Sequence, residues 1–78
     1  MNNNYCIIRD CNELGEKAHL ITRANLPIRF WDKSVFYIYL CRTHHQEQHK
    51  AGIETFCGKY NLSGLLQKAK EHLAILFL

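Results

Sequence analysis

The sequence predicts a small α+β domain in which two β-strands precede three helices. The run VFYIYL (residues 35–40) is β-branched and aromatic, as is typical of a strand, and good helix formers follow it. A chain of 78 residues buries only about 60% of its unfolded surface, so its core alone stabilises it marginally. Four cysteines in so short a chain indicate that a bound metal supplies the missing stability.

The first half of the chain contains two strands separated by an irregular loop. The stretch CIIRDCNELGEK places two cysteines around a turn that Gly15 closes, and AHLIT (residues 18–22) predicts the first strand. Pro27 sets a bend in the loop, and residues 35–40 form the second strand. Two aromatic side chains of the loop are expected to pack on the body of the domain: Phe30 and Trp31.

The second half of the chain is predicted to be helical. A first helix begins at Arg42 and ends at Gly52, and IETFCGKY (residues 53–60) repeats apolar residues at spacings of three and four. Asn61 or Ser63 then caps a last helix. The apolar stripe of that helix consists of Leu65, Leu66, Ala69, Leu73, Leu76 and Phe77.

Charge and hydropathy exclude some classes of protein. The formal net charge is +3 and the basic residues are scattered, which tolerates a polyanion without predicting one. The N-terminus lacks the pattern of a signal peptide, and LAILFL (residues 73–78) is far shorter than the ~18 residues of a membrane span. We therefore expect a cytoplasmic protein without a membrane partner, and in that compartment cysteines favour metal over disulfides.

Two cysteine and histidine pairs have the spacing of a structural zinc site. Cys6 and Cys11 are separated by four residues, and Cys41 and His44 by two. Together they provide three thiolates and one imidazole for a tetrahedral Zn²⁺. The alternative is that Cys6 and Cys11 are ordinary small apolar residues. Cys57 is left over and is expected to be a buried core residue.

A second pair of histidines lies on the first predicted helix. His45 and His49 are four residues apart, so their side chains project from one helix face and can hold one divalent ion. The spacing equally fits a polar helix face that carries histidines. His44 points about 100° away from this pair and faces Cys41. His72 is expected to be a surface or interface residue.

The arrangement resembles the HNH endonuclease superfamily, and above all its small phage and prophage members. The resemblance rests on the cysteine turn, the AH strand, the strand that ends in LC, and the run RTHHQEQHKAGIETF that follows. It covers residues 6–60, and residues 40–56 are its most specific part. It implies a ββα-metal core, an antiparallel hairpin plus one helix, followed by two further helices.

The resemblance also implies roles for individual residues. His19 would be the general base that activates water, and His45 and His49 would bind the catalytic ion (Mg²⁺, Mn²⁺, Ni²⁺ or Zn²⁺). The structural zinc would be held separately by the four residues identified above. Imidazole suits the base because its pKa lies near neutrality. Arg23 and Arg42 are expected to contact phosphate.

The chain departs from the family pattern at three places. Many relatives carry a further ligand just before the base, where this chain has Ala18. The central asparagine of the HNH name, which orients the base, corresponds to Phe36. Relatives also have a glycine-rich loop where this chain has ANLPIRFWDKS, and Asn25 could replace the missing amide only if this loop folds back.

Three functions follow from these observations. The first is a metal-dependent endonuclease or nickase that acts on DNA, alone or in a nucleic-acid-processing complex. The second is a catalytically inactive relative that binds and inhibits a host defence nuclease complex, of the anti-CRISPR or anti-restriction type, through the aromatics of RFWDKS or the C-terminal stripe. The third is a nucleic-acid-binding zinc module with neither role, recognisable from the salt dependence of its binding.

The chain is predicted to have two parts. Residues 1–60 form the zinc-stabilised HNH-like module, and residues 61–78 form an amphipathic helix that packs on it or makes an interface. The apolar ending AILFL predicts a homodimer through this helix. If the protein is encoded by a phage, it would act in the cytoplasm of a bacterial host.

Overall fold

The structure is a computed structural model that describes residues 4–76. A two-stranded sheet precedes three helices, which confirms the predicted fold class. The elements are β1 (Glu16–His19), β2 (Tyr37–Leu40), α1 (Arg42–Ala51), α2 (Ile53–Lys59) and α3 (Ser63–Leu76).

The two strands form an antiparallel hairpin with two different faces. Glu16 pairs with Leu40 and His19 with Tyr37 at the two ends of the register. Because side chains alternate along a strand, one face carries Glu16, Ala18, Ile38 and Leu40, and the last three of these are buried. The opposite face carries Lys17, His19, Tyr37 and Tyr39, which are only half-buried or exposed.

Neither strand begins at the residue that the sequence predicts. The expected first strand shares only Ala18 and His19 with β1. Regular strand pairing ends at Leu20, whose amide donates to the Phe36 carbonyl at 2.8 Å. The second strand begins two residues late. Phe36 lies in a 3₁₀ turn, and the Phe36 amide donates to the Lys33 carbonyl at 3.0 Å.

The cysteine turn lies along the free edge of β2. The Ile7 amide donates to the Tyr39 carbonyl at 2.8 Å, and Tyr5 bridges Leu14. Gly15 closes the turn, as predicted, because no side chain fits there. A Cβ atom on Gly15 would lie 2.8 Å from the Cβ of Tyr39.

The loop between the strands is a chain of three 3₁₀ turns, and the second of them begins after Pro27. Phe30 is buried and Trp31 packs against the core, which confirms the predicted packing of both aromatics. The indole N–H of Trp31 donates to the Leu26 carbonyl at 2.8 Å. This hydrogen bond fixes the middle of the loop to itself between Leu26 and Trp31.

The boundary between the first two helices lies where the sequence predicts it. Gly52 separates α1 from α2 with a φ of 90°, a left-handed conformation that favours glycine. Glu47 of α1 accepts hydrogen bonds from Lys59 at 2.7 Å and from Tyr60 at 2.8 Å. This network holds α2 against α1.

The last helix packs against the domain. Leu66 and Ala69 are buried, and Leu73 and Leu76 pack against the same core. Leu65, also expected in the stripe, is 37% exposed, and Phe77 lies outside the described residues. Exposed His72 contacts the edge of Phe36, with ring centroids 5.8 Å apart, as expected for a surface residue. Within residues 4–76, no helix is long and apolar enough to cross a membrane.

Candidate metal centre and candidate active site

Four side chains converge beside the start of α1. The sulfur and nitrogen atoms of Cys6, Cys11, Cys41 and His44 all lie within 4.8 Å of one another. His44 Nδ1 lies 3.1 Å from Cys41 Sγ and 3.5 Å from Cys6 Sγ, and the Sγ atoms of Cys11 and Cys41 are 3.9 Å apart. The predicted pairs therefore form one cluster that can bind a metal.

Local backbone structure brings the two pairs together. The Cys6 amide donates to the Glu13 carbonyl at 2.9 Å and the Cys11 amide to the Ile8 carbonyl at 3.0 Å. Asp10 takes a positive φ of 67° in this turn. Cys41 is the N-cap of α1, and its sulfur accepts a hydrogen bond from the His44 amide. His44 thus faces Cys41, as the helix rotation predicts.

The donor set has the chemistry of a zinc site. Burial raises the pKa of the Cys41 thiol, but hydrogen bonds from His44 and the other cysteines outweigh burial and lower it to about 7. Burial raises the pKa of the Cys6 thiol, so a bound cation is needed to hold all three sulfurs as thiolates. Three thiolates and one imidazole are a usual ligand set for structural Zn²⁺.

The remaining cysteine does not belong to this cluster. Cys57 is fully buried in the core, as predicted, and burial raises the pKa of its thiol. A thiol held protonated in this way is a poor nucleophile and a poor metal ligand.

His19 is held by the loop between the strands. Its Nε2 lies 2.9 Å from the Trp31 carbonyl. A carbonyl can only accept, so Nε2 carries the proton and Nδ1 of the neutral ring is left as an acceptor. The ring also contacts the edges of Trp31 and Tyr37, with centroids 6.4 and 6.1 Å away.

The loop supplies this hydrogen bond without an asparagine side chain. Phe36, at the place of the family asparagine, is fully buried and packs against Phe30 at a centroid distance of 6.3 Å. Asn25 does not replace the missing amide, because its Nδ2 donates to Thr22 at 3.0 Å within its own turn. The hydrogen-bond partner of the His19 ring is the Trp31 carbonyl.

The second histidine pair shares one face of α1. The ring centroids of His45 and His49 are 4.8 Å apart. His45 Nδ1 lies 2.8 Å from Glu16 Oε1, on the hairpin face that packs against α1. The hydrogen bond from His45 lowers the pKa of the Glu16 carboxyl, and nearby Arg42 lowers it further.

The structure joins His19 to α1 through the backbone. Buried Gln48 of α1 donates to the His19 carbonyl at 3.4 Å, and Gln48 is adjacent to His49. The His19 side chain itself lies on the other face of β1. Among residues 4–76, its ring has no hydrogen bond or ring contact with either helix histidine.

The two candidate phosphate-binding arginines lie in different elements. Arg23 is outside β1, in the first 3₁₀ turn, and its guanidinium lies 5.1 Å from the Trp31 ring centre. Exposed Arg42 begins α1, three residues before His45. The sequence did not single out Glu16, Gln48 or the Trp31 carbonyl, because each acts through long-range pairing that no local spacing reveals.

The fold and its clusters define a class of small ββα proteins with a Cys3His cluster that can bind a metal and a second histidine pair on the helix. The comparisons agree. A family model described as "Putative HNHc nuclease" matches residues 1–77, so the chain belongs to this family of HNH nucleases. Neither the curated proteins nor the solved structures give a match.

Proposed function

We propose that this protein is a metal-dependent endonuclease that hydrolyses a phosphodiester bond of DNA, with His19 as general base. The observation that carries the proposal is the hydrogen bond from His19 Nε2 to the Trp31 carbonyl at 2.9 Å. It leaves Nδ1 free to accept a proton from water, which a general base must do within hydrogen-bond reach.

The proposal assigns one step of the reaction to each polar group. Nδ1 of His19 takes a proton from water, the water oxygen attacks phosphorus, and the bond to the leaving oxygen breaks as that oxygen is protonated from solvent. A divalent ion on His45 and His49 would stabilise the charge that develops on the phosphate oxygens. Their ring centroids lie 4.8 Å apart on one helix face, so the two imidazoles are neighbours.

Two cationic side chains support a nucleic-acid substrate. Arg42 lies on the same helix as the histidine pair, and Arg23 stacks on the residue whose carbonyl holds His19. Both can contact phosphates on either side of the bond to be cut. The Cys6, Cys11, Cys41 and His44 cluster would hold Zn²⁺ as a structural ion and fix α1 relative to the hairpin.

The experiment is a nicking assay on supercoiled plasmid with zinc-loaded protein and added Mg²⁺, Mn²⁺ or Ni²⁺. We expect metal-dependent nicking by the wild type and a loss of ~10²-fold or more in His19→Ala. His72→Ala is the matched control, because His72 is an exposed histidine on α3, and it should nick like the wild type. Absence of nicking from folded, zinc-loaded protein would overturn the proposal in favour of binding without catalysis.

A protein that only inhibits a host nuclease complex finds less support. Its expected contact surface included the aromatics of RFWDKS, but Phe30 is 8% exposed and Trp31 packs against the core. The role therefore stays a prediction, to be taken up if the nicking assay fails.

A further inference from the structure

Glu16 makes a side-chain hydrogen bond that neither strand pairing nor the zinc cluster requires. It is the first residue of β1, and its Oε1 lies 2.8 Å from Nδ1 of His45 on α1. The hairpin register sets this contact, because Glu16 lies on the same strand face as buried Ala18 and pairs with buried Leu40. A carboxylate on the opposite strand face would point away from α1.

The contact determines which nitrogen of His45 is available. A carboxylate at this distance accepts a hydrogen bond, so Nδ1 of His45 carries and donates the proton. In the neutral ring Nε2 then carries the free electron pair. Histidines that bind metals commonly donate their other ring N–H to a carboxylate, which fixes the ring and makes it a better ligand. Next to His45, His49 presents a second imidazole.

We propose that Glu16 is a positioning residue that holds His45 with Nε2 directed to a divalent cation shared with His49. The inference rests on the ion of the proposed function and adds a residue to it. A plain surface ion pair would be the simpler role, and such pairs contribute little. However, the side chain of His45 is only 21% exposed, so its orientation is restricted more than that of a freely exposed histidine.

The surrounding charges are compatible with this role. Arg42 is the cation near the Glu16 carboxylate, and it lies one turn before His45 on α1. Lys17, the next residue of β1, points to the other strand face and pairs with Asp32 at 2.9 Å. Lys17 therefore does not compete with His45 for the Glu16 carboxylate.

The first measurement is calorimetric titration of zinc-loaded protein with Ni²⁺, which suits imidazole ligands. We expect one Ni²⁺ in the wild type, loss of binding in His49→Ala, and a 10–100-fold weaker affinity (order of magnitude) in Glu16→Ala. Glu16→Gln retains an oxygen acceptor for Nδ1–H, so its loss should be several times smaller. Glu54→Ala is the matched control, since it removes another surface glutamate, paired with Lys70.

The second measurement needs no added metal. Long-range ¹H–¹⁵N spectra of the imidazoles in mildly alkaline solution should show the proton of His45 on Nδ1 in the wild type and in Glu16→Gln. In Glu16→Ala that preference should be lost, while the spectrum of His19 stays unchanged.

The outcomes separate the two proposals. If the wild type binds no second ion, the ion of the proposed function is wrong, and so is the role of Glu16 toward it. If the wild type binds Ni²⁺ and Glu16→Ala binds it equally well, only the positioning role is wrong. An equal loss in Glu16→Gln and Glu16→Ala, with the proton of His45 unmoved, would make Glu16 a direct ligand and overturn the positioning role.

Discussion

His19 Nε2 donates a hydrogen bond to the backbone carbonyl of Trp31, 2.9 Å away. No side-chain substitution can remove a carbonyl, so the orientation of His19 depends on how the loop itself is held. The loop is held by the indole N–H of Trp31, which donates to the Leu26 carbonyl at 2.8 Å. The side chain of Trp31 thus fixes the group that orients the candidate base.

We expect Trp31→Phe to slow nicking by ~10-fold or more, because the loop loses the indole hydrogen bond and the Trp31 carbonyl is no longer fixed at His19. The loss should fall on kcat rather than on KM, as measured in the plasmid assay. Ile28→Ala is the control, since Ile28 lies in the same loop and is 74% exposed. Equal rates in wild type and Trp31→Phe would contradict this account of His19.

Removal of the structural metal is expected to unfold the domain. A strong chelator should abolish the far-ultraviolet circular dichroism of the helices, because binding of zinc to a small domain contributes directly to its folding free energy. Cys41→Ser should lose the bound zinc, whereas Cys57→Ala should keep it, since Cys57 lies in the core and outside the cluster. Metal analysis of the purified proteins tests both. A folded, zinc-free Cys41→Ser protein would refute the structural role.

Gly15→Ala should destabilise the protein by about 1–3 kcal/mol, because the added methyl would meet the Cβ of Tyr39 at 2.8 Å and the Asn4 carbonyl at 3.1 Å. Gly58→Ala is the matched control. Its methyl meets no atom within 4 Å in α2, so the helix should gain about 0.5–1 kcal/mol. Urea midpoints at fixed free zinc measure both. If the two variants shift the midpoint in the same direction, the close contact at Gly15 is wrong.

Much of the zinc cluster could be predicted from sequence because its determinants are local. Cys6 and Cys11 are brought together by one turn, and Cys41 and His44 by one helix N-terminus. Each pair therefore forms from local structure alone. The end of the first helix was predicted for the same reason, since Gly52 stops the helix within one turn.

The candidate active site was less predictable because it is built from long-range contacts. Trp31 reaches His19 across twelve residues and Glu16 reaches His45 across twenty-nine. Neither contact follows from periodicity, since both depend on how a loop folds back and on which strand face meets α1. The first strand was also placed too late in the sequence, because β-propensity favoured LIT over the EKAH that actually pairs with β2.

A homodimer through α3 stays a prediction, and the structure narrows the surface available for it. Leu73 and Leu76 pack against the core of their own chain, while Ile75 is 65% exposed and Leu65 37% exposed. We expect light scattering to give twice the monomer mass at high concentration and the monomer mass for Ile75→Glu. Lys68→Glu, a change on the exposed polar side of α3, is the control. A monomer mass at every concentration of the wild type would rule out the dimer.

Glu47 joins α1 to α2 and, through Tyr60, to His44 of the metal-binding cluster. Its carboxylate accepts hydrogen bonds from Lys59 and Tyr60, and the Tyr60 ring contacts the His44 ring at a centroid distance of 5.5 Å. The bond from Lys59, followed by that from Tyr60, lowers the pKa of Glu47 in the folded protein. The folded state therefore binds a proton at Glu47 more weakly than the unfolded state does, and the unfolded value is about 4.3.

The stability that this network contributes should therefore be fully present above the pKa that Glu47 has in the unfolded state. It should be lost as the pH falls through the lower pKa that Glu47 has in the folded state. We expect Glu47→Gln to be less stable than the wild type at neutral pH, and the difference to shrink as the pH falls toward ~4, over the pH range in which both proteins keep their zinc. Urea midpoints at matched free zinc measure it. Tyr60→Phe removes one of the two donors and keeps the ring against His44, so it should show a smaller loss with the same pH dependence. A difference between wild type and Glu47→Gln that stays constant across this range would show that the carboxylate pairs are not what links the two helices.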